Sequence, residues 1–143
     1  VVEFDDRYLD RDRLARQVRA ADLVVLPYGS REQVTSGVLV EAVAAGKPVV
    51  ATAFPHSVEV LASGAGVAVP HASPEPFARA LRSVVGDPAT TAAMAAEARR
   101  VSAGWLWPAI GRRYDDLLTR VARAHGGPVH TFRIPERGQR VAG

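Results

Sequence analysis

An α/β fold, a parallel sheet with helices on both faces, is predicted by three observations. Segments that read as strand and helix alternate along residues 1–86, the order that builds parallel sheets. The runs DLVVLPY (22–28) and PVVAT (48–52) are continuously apolar and rich in β-branched residues, as in strands covered on both faces. The segments between the strands carry start and stop signals for helices. In open sheets of this kind ligands bind beyond the carboxyl ends of the strands, so the loops after Tyr28, Thr52 and Pro70 are where function is expected.

Taken in order, residues 1–4 read as a short buried strand, followed by the polar turn DDRYLD. Asp10 then precedes RDRLARQVRAA, where Leu14, Val18 and Ala21 share one helical stripe with arginines opposite, so a capped amphipathic helix is expected. After the strand at 22–28 comes the loop GSREQVT and then SGVLVEAVAAG. Thr35 or Ser36 is placed to cap this helix, Gly46 to supply the left-handed residue past its end, and Pro48 to forbid continuation. PVVAT is the next strand. FPHSVEVLAS holds a short helix packing Val58 and Leu61, with Glu59 facing outward or toward the site, and GAGVAVP is a glycine-bounded strand. Ser73 and Pro74 open a helix with Phe77, Leu81 and Val84 at helical spacing, which Asp87 and Pro88 end. Two more helical segments follow, with Trp105, Ile110, Leu117 and Val121 as packing residues.

Composition narrows the function classes. With 143 residues, 48% hydrophobic and 23% charged, the chain suits one domain with a real core. It holds no cysteine, which excludes disulfides and thiolate metal sites, and His56, His71, His125 and His130 lack metal-ligand spacing. No run approaches a membrane span and VVEFDDRYLD is no signal peptide, so a cytoplasmic setting is expected. The abrupt start on a strand is expected of a fragment. A net charge of +3, carried almost wholly by arginine with Lys47 the one lysine, points to a solvated surface rather than a nucleic-acid partner. A domain at 1–125 and a flexible basic tail at 126–143, HGGPVHTFRIPERGQRVAG from His125 on, are predicted from the loss of periodicity there.

The stretch from Tyr28 to Pro48 carries the chemistry. At Thr35, Ser36, Gly37 and Val38 a loop enters a helix, so unpaired amides and the positive end of the helix dipole meet, a combination that suits a diphosphate. The competing role for Gly37 is to allow tight helix–sheet packing. Glu41 lies one turn on, over the same face; it is badly matched to phosphate and well matched to paired sugar hydroxyls. A solvated helix glutamate is the alternative, but Val38, Leu39, Val40, Ala42 and Val43 make this helix apolar nearly all round.

The run ADLVVLPY…SGVLVEAVAAGKPVVAT, continuing through FPHSVEVLASGAGVAVPHASPEPFARAL, resembles the carboxy-terminal half of the retaining group 1 (family 4) glycosyltransferases. The resemblance covers residues 1–114. It implies a Rossmann-like, partial C-terminal domain of the two-domain GT-B fold, binding a nucleotide-sugar donor such as a UDP- or GDP-sugar, with no cofactor and no metal. That family carries a glutamate, seven residues and a second glutamate that binds the donor ribose. Glu41 matches the second. Gln33 occupies the first position, near the transferred sugar, while Glu32 is one residue out of register. Either Gln33 itself makes donor contacts, or Glu32 shifts inward, or activity is weakened; the preserved spacing to Glu41 favours the first. The resemblance also implies that amides near Ser36 and Gly37 hold the diphosphate. Basic residues facing the diphosphate and the amino-terminal acceptor domain are expected outside this chain.

Other candidates are Arg7, reaching a base or phosphate or lying in a surface turn, and His56, facing the cleft or capping its helix. Trp105 and Trp107 flank a segment that in the GT-B fold returns toward the first domain. Two rival readings stand beside the enzyme: a non-catalytic nucleotide-sugar-binding module, to which Gln33 gives weight, and a basic module whose tail docks peripherally on the inner membrane surface.

Overall fold

The computed structural model describes residues 2–126, so the expected tail at 126–143 lies, beyond Gly126, outside the described residues. Two compact units divide the chain, residues 1–104 and residues 105–143.

The first unit is built on a three-stranded parallel sheet in the order β1-β2-β3: β1 (Val24–Leu26), β2 (Val49–Thr52) and β3 (Gly66–Val69). Val24 pairs with Val49 and Val50 with Val67. β3 must start on glycine, because a Cβ at Gly66 would stand 2.1 Å from the Val49 carbonyl oxygen. Helices α1 (Arg11–Ala20), α2 (Gly37–Ala44), α3 (Pro55–Leu61), α4 (Pro74–Gly86) and α5 (Pro88–Ser102) surround the sheet.

Alternate residues of β2 and β3 face two separate apolar layers, which is why both faces carry helices. Leu26, Val49 and Ala51 join Val18 of α1, Leu39 and Val43 of α2, Phe54, and Val60 and Leu61 of α3 in one layer. Val50 and Val69 meet Val84 in the other, with Phe77 and Leu81 of α4 against them. The predicted α/β class is therefore the observed one.

Local chemistry sets the helix ends. The Asp10 side chain accepts the Arg13 amide and caps α1. Past α2, Gly46 at φ +69 takes the left-handed position. Its amide bonds Val43 O, and that of Lys47 bonds Ala42 O, closing the paired hydrogen bonds that commonly end a helix on glycine.

Four expectations are corrected. Residues 2–4 form no strand, and Phe4 is 94% exposed: a strand needs a partner, and none pairs with this segment among the described residues. Strand β1 is not covered on both faces, since Val25 is 40% exposed at the edge of the sheet. In the seven-residue α3, Val60 and Leu61 turn inward while Val58 is 49% exposed, and Glu59 points outward. The second unit consists, among the described residues, of α6 (Trp107–Ala124), which buries none of its residues. Trp105, Leu117 and Val121 are exposed and Ile110 is half-buried, so the amphipathic stripe is present without a covered core.

Candidate functional site

Loops leave the carboxyl ends of β1, β2 and β3 side by side, and the first two meet at the start of α2. Phe54, fully buried just past β2, is the floor. Tyr28 stacks on it with ring centroids 5.2 Å apart, an offset contact that aromatic pairs favour. The hydroxyl of Thr52, at the end of β2, donates to Tyr28 O (2.8 Å), with Leu26 O at 3.4 Å. The buried Ser57 hydroxyl lies 2.7 Å from Thr52 O and 2.8 Å from Phe54 O. Chain directions at both loop exits are thus held by hydroxyls bonded to main-chain carbonyls, groups that must be satisfied when buried.

Ser36 is the helix cap, as one of the two sequence candidates. Its Oγ accepts the Leu39 amide at 3.2 Å and shares a hydrogen bond of 3.2 Å with the Tyr28 hydroxyl. Its own amide donates to Nδ1 of His56, twenty residues on, at 3.1 Å. An accepting Nδ1 puts the proton of the neutral ring on Nε2. Gln33, half-buried, donates from Nε2 to Thr35 O at 2.6 Å. Leu39 is served by Ser36 Oγ and Val40 by Ser36 O, so the amides of Gly37 and Val38 are left without a protein partner among the described residues. A Cβ placed on Gly37 would meet nothing within 4 Å. Tight packing therefore does not demand this glycine, and the space beside its Cα is open.

Glu41 lies one turn into α2, half-buried, with neither an ion pair nor a hydrogen bond among the described residues. It lines a recess of about 230 Å³ with Ala15, Val18 and Arg19 of α1. The structure thus brings Gln33, Thr35, Ser36, Gly37, Val38 and His56 into one corner, with Glu41 a turn away. Two sequence candidates are not drawn in. Glu32 is exposed, its amide bonded to Ser30 Oγ. Arg7 is exposed and grips Asp5 through Nε (2.8 Å) and Nη2 (2.9 Å), which holds the Asp5 carboxyl below its usual range and raises the guanidinium above its own; the surface-turn role is the observed one.

Sequence reasoning did not anticipate Tyr28, Thr52 and Ser57 as braces. The apolar-aromatic pair in LPY and AFP was the available signal for the first. It also missed His71, after β3, whose two ring nitrogens are shielded and lack partners among the described residues. A recess of about 500 Å³ lies elsewhere in the first unit, at the amino ends of the strands, lined by Asp22, Lys47, Val84 and Arg99 among others. No metal-binding cluster and no helix long and apolar enough to cross a membrane occur among the described residues.

Comparison with known proteins places this corner in context. Residues 2–87 match the family model described as "Glycosyl transferases group 1". A D-inositol 3-phosphate glycosyltransferase of Rhodococcus opacus is 40% identical over 97 residues, covering 67% of this chain and 21% of the relative. Another of that name, from Kineococcus radiotolerans, is 39% identical over 122 residues, 79% of this chain and 28% of its own length. The chain thus spans about a quarter of the curated relatives it matches. Among solved structures, sucrose-phosphate synthase from Thermosynechococcus elongatus superposes with a TM-score of 0.64 at 29% identity, over 81% of this chain and 29% of that one. A family match over more than half of the chain, on a parallel α/β sheet of this topology, establishes that it belongs to the group 1 glycosyltransferases of the GT-B fold.

Proposed function

We propose that this chain is the later part of the donor-binding half of a retaining glycosyltransferase, which moves a sugar from a nucleoside-diphosphate donor to an acceptor held by a domain outside the chain. The observation that carries the reading is the pair of amides on Gly37 and Val38 at the start of α2, unpartnered among the described residues and beside the open side of an exposed glycine, with an unpaired acid one turn behind. Such amides and the helix dipole accept an anion without any charged side chain.

As the bond from the anomeric carbon to the diphosphate breaks, negative charge gathers on the leaving phosphate. Fixed amides aimed there stabilise that charge with no reorganisation. Glu41 accepts hydrogen bonds from the paired ribose hydroxyls, fixing the donor's reach. Thr35, exposed at the mouth, and Gln33 border the sugar. Retention is the part of this reading that the family resemblance supports. The names of the relatives make a phosphorylated polyol the first acceptor to test.

The test is calorimetric titration of the full-length polypeptide with UDP- and GDP-sugars, wild type against Glu41→Ala. Losing a charge-assisted bond to two hydroxyls is expected to weaken donor binding by about tenfold to a hundredfold. Unchanged affinity would remove Glu41 from the site. Tight donor binding with no transfer to any acceptor would instead make the protein a nucleotide-sugar-binding module.

A further inference from the structure

The two hydrogen bonds made by Gln33 and His56 fall on one peptide group. Gln33 Nε2 donates to the carbonyl of Thr35 at 2.6 Å, and His56 Nδ1 accepts the N–H of Ser36 at 3.1 Å. These are the C=O and N–H of the single peptide plane joining Thr35 to Ser36, the plane that leads into the cap residue of α2. We infer that Gln33 and His56 are a pair of positioning residues that clamp this plane, and through it aim the Gly37 and Val38 amides. The inference rests on the donor reading above for its consequence, not for its geometry.

The clamp explains a residue type that the family pattern leaves unexplained. A peptide plane is rigid about its C–N bond, so gripping both ends fixes its orientation, and the bonds of Ser36 Oγ and O to the Leu39 and Val40 amides carry that orientation across Ser36 into the helix start. The grip at the carbonyl end needs a donor. A glutamine side chain has one and an ionised glutamate has none. A carboxylate at position 33 would face the Thr35 carbonyl oxygen with like partial charge. Gln33 is therefore required in this chain by the backbone it holds, rather than being a weakened stand-in for an acid. At the other end the partner must accept, which the Nε2–H tautomer of His56 does and an imidazolium does not. Neither residue needs to touch the donor to act.

The two readings of position 33 make opposite predictions. If an acid there serves the reaction directly, Gln33→Glu improves the enzyme. If the clamp is right, Gln33→Glu in the full-length polypeptide weakens binding of UDP- or GDP-sugar by about tenfold, the worth of one lost bond plus an unsatisfied partner. His56→Ala falls by a similar factor, while His56→Asn, whose side-chain oxygen accepts a backbone N–H, retains at least half of the wild-type affinity. Because both bonds serve one plane, the double variant Gln33→Glu/His56→Ala is expected to fall well short of the product of the single losses. KM for the donor should rise in these variants by more than kcat falls.

A readout that needs neither variant nor donor is the nitrogen NMR spectrum of the His56 ring in the wild type at neutral pH: Nδ1 must be unprotonated and Nε2 protonated. A protonated Nδ1 overturns the clamp, as does a Gln33→Glu variant that binds donor as well as wild type, or a His56→Asn variant that falls with His56→Ala. If wild type binds no nucleotide sugar, the donor reading fails by itself, and the ring spectrum still decides the clamp.

Discussion

Ser36 and Ser73 each open a helix in a loop that leaves a strand at the carboxyl edge of the sheet, and their surroundings have little else in common. Ser36 is buried, accepts the Leu39 amide, bonds Tyr28 and has its own amide held by His56. Ser73 makes no cap; its hydroxyl donates back to His71 O at 3.2 Å. The first loop is braced by side chains up to twenty residues distant. The second is turned by Pro70 and Pro74, and keeps Ala72 at φ +54 beside a histidine whose ring nitrogens have no partner among the described residues. Side-chain bracing surrounds the open Gly37 and Val38 amides, whereas the uncapped start of α4 is shaped by prolines and tolerates a strained residue beside it.

The largest test of this contrast is to delete both hydroxyls in turn. Ser36→Ala removes a cap and strips the Tyr28 hydroxyl of its partner, and is expected to lower stability by about 2 kcal/mol. Ser73→Ala, losing one long bond that caps nothing, should change it by about 0.5 kcal/mol or less. Urea unfolding followed by circular dichroism is the measurement, since both tryptophans lie in the second unit. Equal losses would mean that the two helix starts are equivalent after all.

A smaller effect of opposite sign is expected at Ala72. Holding an alanine in the left-handed region costs about 1–2 kcal/mol, and glycine there returns about 0.4–1 kcal/mol of that through its freer unfolded state. Ala72→Gly should therefore stabilise the chain by about 0.5–1 kcal/mol in the same unfolding experiment. The same change at Ala45, half-buried and ahead of the glycine that already ends α2, should destabilise. If Ala72→Gly also destabilises, the loop is not strained.

What the sequence made legible divides along the same line. Helix ends written in adjacent residues were readable: Asp10, Ser36 or Thr35, Gly46 before Lys47-Pro48, and Pro74 all act within one turn. So were β2 and β3, whose apolar runs are covered on both sides. Features that depend on distant residues were not. Pairing at residues 1–4 is decided by a neighbouring strand, Val25 by where the sheet stops, and the phase of the short α3, which chose Val60 over Val58, by the layer beneath it. In the site, Gly37 and Glu41 could be read from spacing along one helix. The bond from Ser36 to His56 spans α2, β2 and the turns that follow each, and no local pattern announces it. Gln33 was visible as a departure from the family pattern, but its reason is a bond to a carbonyl two residues on, which depends on how the loop turns.

Asp87 sharpens the comparison at the smallest scale, as a third helix start whose cap is charged. Its carboxylate accepts the Thr90 hydroxyl and the Ala89 amide at the head of α5, and these bonds, the hydroxyl first, hold its pKa below the ordinary aspartate value. A depressed carboxylate contributes stability that is fully present above the unfolded-state pKa, about 3.9, and is lost as pH falls through the lower folded value. The hydroxyl cap at Ser36 has no such window. The stability difference between wild type and Asp87→Asn should thus be flat from about pH 5 to 8 and shift progressively below about pH 4, whereas the difference for Ser36→Ala stays level through the same range. A wild-type minus Asp87→Asn difference that is unchanged down to pH 3 would show that the charge on Asp87 adds nothing to this helix start.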